Sequence, residues 1–221
     1  MTKGSPRIGI CGFCGLSREI TDDHIPPKNI FPKPRTNDLI TTPCCEECRK
    51  GWSMDDEYFR TAIYTFDPVH AHPAATKISN KIVSSLNKPN KQGYANLVMN
   101  SFKEIEVYSS EGGIYLGTQT VFHLDAERFN RVATRIVRGL FFNHKKYIVP
   151  KTYEVLANIP LKDINDLLDK VPFSPIKSVG NGVFSYRYCF ADDDPDYSIW
   201  LMVFNNALPV IGKTRLRKEI Q

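Results

Sequence analysis

The chain has 221 residues, of which 42% are hydrophobic and 24% charged, a composition typical of folded globular proteins and not of disordered ones. Its apolar runs are far shorter than the roughly 20 residues of a membrane-spanning helix, and its N-terminus lacks the apolar stretch of a signal peptide. We therefore expect a cytoplasmic protein with no membrane partner, whose paired cysteines indicate metal before disulfides. The net charge of +5 permits a nucleic-acid partner without establishing one.

The predicted elements mix helices and strands. A helix is expected over residues 55–64, with Ser53 as its N-cap and acidic residues in its first turn. The later elements are a turn at 67–73, a helix at 74–88, strands at 96–108 and 114–123, a helix at 125–143 capped by Asp125, a short helix at 161–170, and strands at 183–191, 197–204 and 208–211. The predicted class is α+β, with an antiparallel sheet in the C-terminal part.

The predicted helix over 125–143 carries a basic stripe opposite its apolar face. The stripe consists of Arg128, Arg131, Arg135 and Arg138. Guanidinium groups are planar and always charged, so they suit contact with phosphate. A solvated face of an amphipathic helix explains the same spacing, and the sequence leaves both interpretations open.

Two cysteine pairs have the spacing of a structural zinc site. CGFC and CEEC each place two residues between their cysteines, and 30 residues separate the two pairs. Two such turns complete a tetrahedron of four sulfurs that leaves no position open for chemistry. The predicted ligands are Cys11, Cys14, Cys45 and Cys48. Cys44 is interpreted as a packed or spare thiol, with its use in place of Cys45 left open.

Between the cysteine pairs lies TDDHIPPKNIFPKPRTNDLITTP, in which His24 directly follows two aspartates. Imidazole can take a proton from water near neutral pH, and carboxylates bind hard ions such as Mg²⁺. A base beside a metal ligand is what hydrolysis of a phosphodiester needs. The pair Asp23-His24 is therefore a candidate catalytic site.

Residues 8–60 resemble the zinc-containing HNH endonucleases, which have a ββα-metal fold of the treble-clef type. The matching features are the first cysteine pair, Asp23-His24 followed by Ile25-Pro26-Pro27, the loop RTNDLIT, the second cysteine pair and a following helix. The resemblance implies that residues 1–66 form an HNH-like nuclease domain. Residues 67–90 are then a linker with a helix, and residues 91–221 an α+β domain of unassigned role.

The resemblance also implies cleavage of DNA, less often of RNA, with Mg²⁺ or Mn²⁺ as the catalytic metal. His24 carries over as the general base and Asp23 as a metal ligand. Asn37 carries over as the loop residue that orients the base, although Asp38 fits nearly as well.

The chain departs from the family pattern directly after the second cysteine pair. Many relatives have Asn or His there, whereas this chain has Arg49, which cannot bind a cation. One of the acids at 55–57 could supply the missing metal ligand, and Asp56 is slightly preferred. These acids also suit the positive end of a helix, so both roles stay open. Arg49 and Lys50 are instead candidate phosphate contacts.

The leading functional hypothesis is a metal-dependent nuclease with nucleic acid, most simply DNA, as its partner. The first alternative is a non-catalytic zinc-binding module for nucleic acid or protein, which Arg49 favours. The second is an interaction subunit of a larger system. The sequence leaves open whether the protein forms a homodimer or needs a partner protein.

Overall fold

The protein is described by a computed structural model that covers residues 7–160 and 164–218. Within these residues the strands form a three-stranded, a five-stranded and a two-stranded sheet, and every paired strand is antiparallel to its neighbour. Helices lie between the sheets along the chain. The predicted α+β class with an antiparallel sheet is confirmed.

The N-terminal part is a small sheet followed by a helix. Its strands β1 (Arg7–Ile10), β2 (Ser17–His24) and β3 (Thr41–Cys45) lie in the order β1-β2-β3. A 3₁₀ turn spans Lys28–Ile30, and β3 leads into the helices α1 (Glu46–Arg49) and α2 (Trp52–Tyr64). The predicted N-cap Ser53 is wrong. Gly51 precedes α2 with a φ of 86°, a left-handed conformation that glycine adopts without strain.

The middle of the chain is more helical than predicted. It contains a 3₁₀ turn Asp67–Ala71, α3 (Ala74–Leu86), a 3₁₀ turn Pro89–Lys91, α4 (Gln92–Asn100), β4 (Phe102–Tyr108) and β5 (Tyr115–Phe122). The helix at 74–88 is confirmed, whereas the strand expected from residue 96 starts only at Phe102. Leu97 and Met99 are good helix formers, and the alternation typical of a strand begins after them.

The C-terminal part contains the longest helix and the largest sheet. Its elements are α5 (Ala126–Lys145), β6 (Tyr153–Asn158), α6 (Asn165–Lys170), β7 (Lys177–Val179), β8 (Phe184–Phe190), β9 (Ser198–Phe204) and β10 (Leu208–Leu216). The sheet order is β6-β10-β9-β8-β7. Sequence patterns did not predict β6 or β7, and they predicted the last strand over 208–211, which is shorter than the observed β10. Of the short helix predicted at 161–170, residues 161–163 lie outside the described residues.

One hydrophobic core joins the N-terminal and C-terminal parts. Phe59 of α2 packs against Phe129 of α5 and Phe204 of β9, with ring centroids 4.7 and 5.4 Å apart. Ile25, directly after β2, belongs to the same buried cluster. The buried cluster thus includes residues from both parts, and the domain boundaries near residues 66 and 91 stay a prediction.

Helix α5 lies close against the end of β2 and the start of β3. A Cβ atom at Gly139 would lie 2.0 Å from Ile25 Cδ1, so only glycine permits this approach. Thr42 Oγ1 donates a hydrogen bond to the Gly139 carbonyl at 3.3 Å. Asn143 Nδ2 donates to the Thr41 carbonyl at 3.1 Å. These contacts place α5 beside the strand end that carries His24.

Among the described residues, no helix combines the length and the apolar character needed to cross a bilayer.

Candidate functional site

Four cysteines converge where the first turn of the chain meets the start of α1. The Sγ atoms of Cys11, Cys14, Cys45 and Cys48 all lie within 4.8 Å of one another, and those of Cys14 and Cys45 are 3.9 Å apart. Zn–S bonds of about 2.3 Å in a tetrahedron put the sulfurs about 3.8 Å apart, whereas a disulfide needs about 2.05 Å. The four sulfurs therefore suit a metal ion such as zinc, and the predicted grouping is confirmed.

The backbone around the cluster favours the thiolate form of Cys11. Burial raises the pKa of this thiol, but N–H groups of Cys14, Cys45 and Phe13 outweigh burial and lower the pKa to about 7. The Cys45 N–H lies 3.4 Å from Cys11 Sγ. Since the thiolate is the form that binds metal, the fold prepares this ligand before an ion arrives.

Cys44 does not belong to the cluster. It is buried, and its Sγ donates to the carbonyl of Cys45 at 3.3 Å. Burial raises the pKa of its thiol, which keeps it protonated. Cys44 is thus the packed thiol that the sequence suggested, and its use in place of Cys45 is wrong.

Asp23 and His24 end β2 and belong to opposite faces of the strand. In the β2–β3 pairing, Asp23 lies opposite Thr42 and His24 opposite Thr41. Adjacent side chains of a strand leave it on opposite sides. Asp23 is on the same face as Thr42, which bonds to α5, and the charge of Arg135 from α5 acts on it.

Two part-buried carboxylates on this α5 side of β2, Asp23 and Asp56, interact with the same guanidinium group of Arg135. Burial raises the pKa of Asp23, although the positive charges of Arg135 and Arg49 oppose the shift. Burial also raises the pKa of Asp56, again against the pull of Arg135, and the negative charge of Asp23 raises it further. Two carboxylates that share one counter-charge form a donor set for a hard divalent cation. The ion pair between Arg135 and Asp56 competes with such an ion.

His24 lies in different surroundings, beside cations of the following loop. Burial lowers the pKa of its imidazole, and the charges of Lys28 and Arg35 lower it further, against Asp23. The ring is therefore neutral near pH 7 and able to accept a proton. Within the described residues, no hydrogen bond holds this ring.

The loop after His24 carries two asparagines with different contacts. Asn37 is exposed, and its neighbour Asp38 accepts a hydrogen bond from the Gly180 N–H at 3.0 Å. Asn29, which sequence reasoning missed, donates from Nδ2 to the Asp56 carbonyl at 2.7 Å. Its Oδ1 is buried and has no partner among the described residues. The orienting role of Asn37 stays a prediction, and nothing but its position in the loop singled out Asn29.

The two basic residues after the second cysteine pair differ in their contacts. Arg49 donates from Nη1 to Thr21 Oγ1 at 2.7 Å and pairs with Glu46 at 3.1 Å, whereas Lys50 is exposed. Arg49 therefore ties α1 to β2. A phosphate contact by either residue stays a prediction.

Three of the four arginines in the α5 stripe are paired with acids from α2. Asp55 forms ion pairs with Arg128 at 3.4 Å and with Arg131 at 2.9 Å, and Arg131 also pairs with Glu127 at 3.2 Å. The acids at the start of α2 thus neutralise much of the predicted basic stripe. Contact between these arginines and phosphate stays a prediction.

Arg135 is not on an open basic face. It is only 6% exposed, pairs with Asp56 and lies over the ring of Trp52 with its guanidinium carbon 4.2 Å from the centroid. Burial lowers the pKa of Arg138, which is part-buried. A cleft of about 290 Å³ between α2 and α5 is lined by Phe13, Trp52, Asp55, Arg131, Val132, Thr134, Arg135 and Arg138.

Comparison with known proteins finds no matching family model, no matching curated protein and no matching solved structure. The resemblance to HNH nucleases stays a prediction from the motifs of residues 8–60.

Proposed function

We propose that the protein is a metal-dependent endonuclease of the HNH type that hydrolyses phosphodiester bonds, most simply in DNA. One observation carries the proposal. Arg135 pairs with Asp56, which follows the second cysteine pair, and its charge also acts on Asp23 near the end of β2, directly before the neutral His24. This supports an active site between the strand end and α2.

The four-cysteine cluster would hold a zinc ion with a structural role. A tetrahedral site with four thiolate ligands is closed, so it contributes folding free energy and does no chemistry. It would fasten the turn after β1 to the junction of β3 and α1, because each of these elements supplies two ligands.

The chain's own residues fit a base-assisted hydrolysis. His24 accepts a proton from water, and the resulting nucleophile attacks the phosphorus atom. The bond from phosphorus to the leaving oxygen breaks, and that oxygen takes up a proton from solvent water. Mg²⁺ or Mn²⁺ held by Asp23 and Asp56 would supply stabilisation of the charge on the phosphate and leaving oxygens. Two protein carboxylates suffice, because Mg²⁺ keeps several waters and accepts substrate oxygens. His24 is the last residue of β2, so a phosphodiester lying across the strand end can reach both faces.

A non-catalytic zinc-binding module is the second candidate, and one contact favours it. Arg135 pairs with Asp56, and the charges of Arg135 and Arg49 both act on Asp23. Two guanidinium groups thus already neutralise the carboxylates that a metal ion would need. Such a site would bind nucleic acid or protein without cutting.

Plasmid nicking separates the two candidates. The parent protein, Asp23→Asn and Asp56→Asn would be compared in Mg²⁺ or Mn²⁺, with Asp193→Asn as a control at an exposed turn. Each site variant loses a carboxylate that would hold the metal, and with it several kcal/mol of charge stabilisation. We therefore expect both site variants to nick at least about 100-fold more slowly than the parent, and the control to nick at the parent rate. A parent that binds DNA but leaves the plasmid intact would favour the module.

A further inference from the structure

Three cations of the loop that follows His24, together with a lysine of α3, form a group of like charges. They are Lys28, Lys33, Arg35 and Lys81, here called the loop cation cluster. Arg35 Nε donates to the Lys28 carbonyl at 3.0 Å, and the charges of Arg35 and Lys33 both act on Lys81 of α3. Lys28 and Arg35 also act on His24, so the cluster begins at the proposed base.

Among the residues that the structure describes, the loop cation cluster has no acidic partners. Across residues 7–160 and 164–218, no ion pair involves any of its four members, and its three lysines are exposed. Three of the four arginines of the α5 stripe differ, because Asp55 holds Arg128 and Arg131, and Asp56 holds Arg135, while Arg138 is part-buried. Unpaired like charges held together concentrate positive potential, which attracts a polyanion.

A buried arginine adds to the positive potential of the loop cation cluster. Arg60 of α2 is 8% exposed, and within the described part of the chain its Nε and Nη2 have no hydrogen-bond acceptor. Its neighbouring carboxylate Glu57, 3.6 Å away, also pairs with Lys91, so one acid serves two cations. The charge of Arg60 acts on Lys81. Arg60 is too buried to touch a ligand, but it adds to the field at the surface.

We propose that the loop cation cluster, and not the arginine stripe of α5, binds the phosphodiester backbone of the nucleic acid. This inference rests on the proposed function, since it takes nucleic acid as the partner. Lysines contact phosphates as mobile point charges and fix the position of the backbone without reading its sequence. A strand bound along the cluster ends at His24, where its phosphate meets the base.

Salt-dependent binding of a short fluorescein-labelled DNA duplex tests the inference. Anisotropy would be measured in Ca²⁺ between about 50 and 200 mM salt, the range over which phosphate contacts change affinity most visibly. The double variant Lys33→Gln/Lys81→Gln should lower the slope of log K against log salt by about 2, close to 0.9 per lost contact. The control Lys103→Gln/Lys151→Gln removes the same charge from exposed sites elsewhere and should keep the parent slope.

Three results would overturn the inference: no binding by the parent, an unchanged slope in the Lys33/Lys81 variant, or a lower slope for Arg131→Gln instead. Plasmid nicking in Mg²⁺ keeps this inference separate from the proposed function. A parent that nicks while the lysine variant keeps its slope refutes the cluster and not the nuclease. A slope that falls as expected in a protein that never nicks supports the cluster and refutes the nuclease.

Discussion

Replacing Gly139 with alanine tests the close packing of α5 against the end of β2. In an open helix this change stabilises by about 1 kcal/mol, because glycine is the poorer helix former. Here the new Cβ would lie 2.0 Å from Ile25 Cδ1 and 2.9 Å from Ile25 Cγ1. Ile25 is only 1% exposed, so its side chain has little room to move away.

The expected net effect is a loss of stability. Overpacking a tight core costs about 1–3 kcal/mol, and displacing the hydrogen bond from Thr42 to the Gly139 carbonyl costs about 1 kcal/mol more. After the gain in helix propensity is subtracted, we expect the free energy of unfolding to fall by about 1–3 kcal/mol.

Urea unfolding followed by tryptophan fluorescence measures this change at constant m-value. Gly93→Ala in α4 is the matched control, because nothing lies within 4 Å of the added Cβ there. It should raise the free energy of unfolding by about 0.5–1 kcal/mol. A Gly139→Ala protein as stable as the parent, or more stable, would refute the close approach of α5.

Two further predictions concern the cysteine cluster and a C-terminal histidine. Cys45→Ser should lower the zinc content measured by elemental analysis, whereas Cys44→Ser should keep it, and equal zinc loss in both would contradict the ligand assignment. Burial, then the charges of Lys177 and Lys146, lower the pKa of His144 from 6.5 to about 4. The unfolded chain therefore binds more protons between these values, so stability is full above about pH 6.5 and falls as the pH drops towards 4. The upper limit is about 3 kcal/mol, and partial exposure of the ring reduces it to about 1–2 kcal/mol. His144→Gln should flatten this dependence in chemical denaturation at several pH values, and an unchanged slope would exclude His144 as its source.

Local patterns were enough to predict the features that depend on neighbouring residues. The two cysteine spacings predicted the four-sulfur cluster, because each pair needs only a tight turn. Apolar periodicity predicted α5, and Asp125 caps it by accepting a hydrogen bond from the Arg128 N–H at 3.1 Å. The turn of each cysteine pair and the cap of α5 are set within a few residues along the chain, and the repeated spacing links the two pairs across the 30 residues between them.

Contacts between distant segments could not be predicted from the sequence alone. Arg135 and Asp56 are 79 positions apart, so nothing in the spacing indicated that the basic stripe and the acids of α2 neutralise each other. The strand β6 was missed for a related reason. Its pairing partner is β10, and its short sequence YEVLAN has a weak pattern until that partner is known.

The start of α2 shows how tertiary packing outweighs a local preference. Ser53 is a favourable N-cap residue, yet the helix begins earlier, at Trp52. Trp52 packs against Phe13 of the first cysteine turn, with centroids 5.0 Å apart, and lies under Arg135. Those contacts hold Trp52 in the first turn of α2, and Gly51 is the residue that precedes the helix.

The central claim is that His24 acts as the base of a nuclease. The most direct measurement is the rate of plasmid nicking in Mg²⁺ by His24→Ala against the parent, at equal zinc content. His123→Ala, at an exposed histidine outside the site, controls for loss of an imidazole. If His24 is the base, the nicking rate of His24→Ala falls about 100-fold or more, and His123→Ala keeps the parent rate. Nicking by His24→Ala at the parent rate would contradict it.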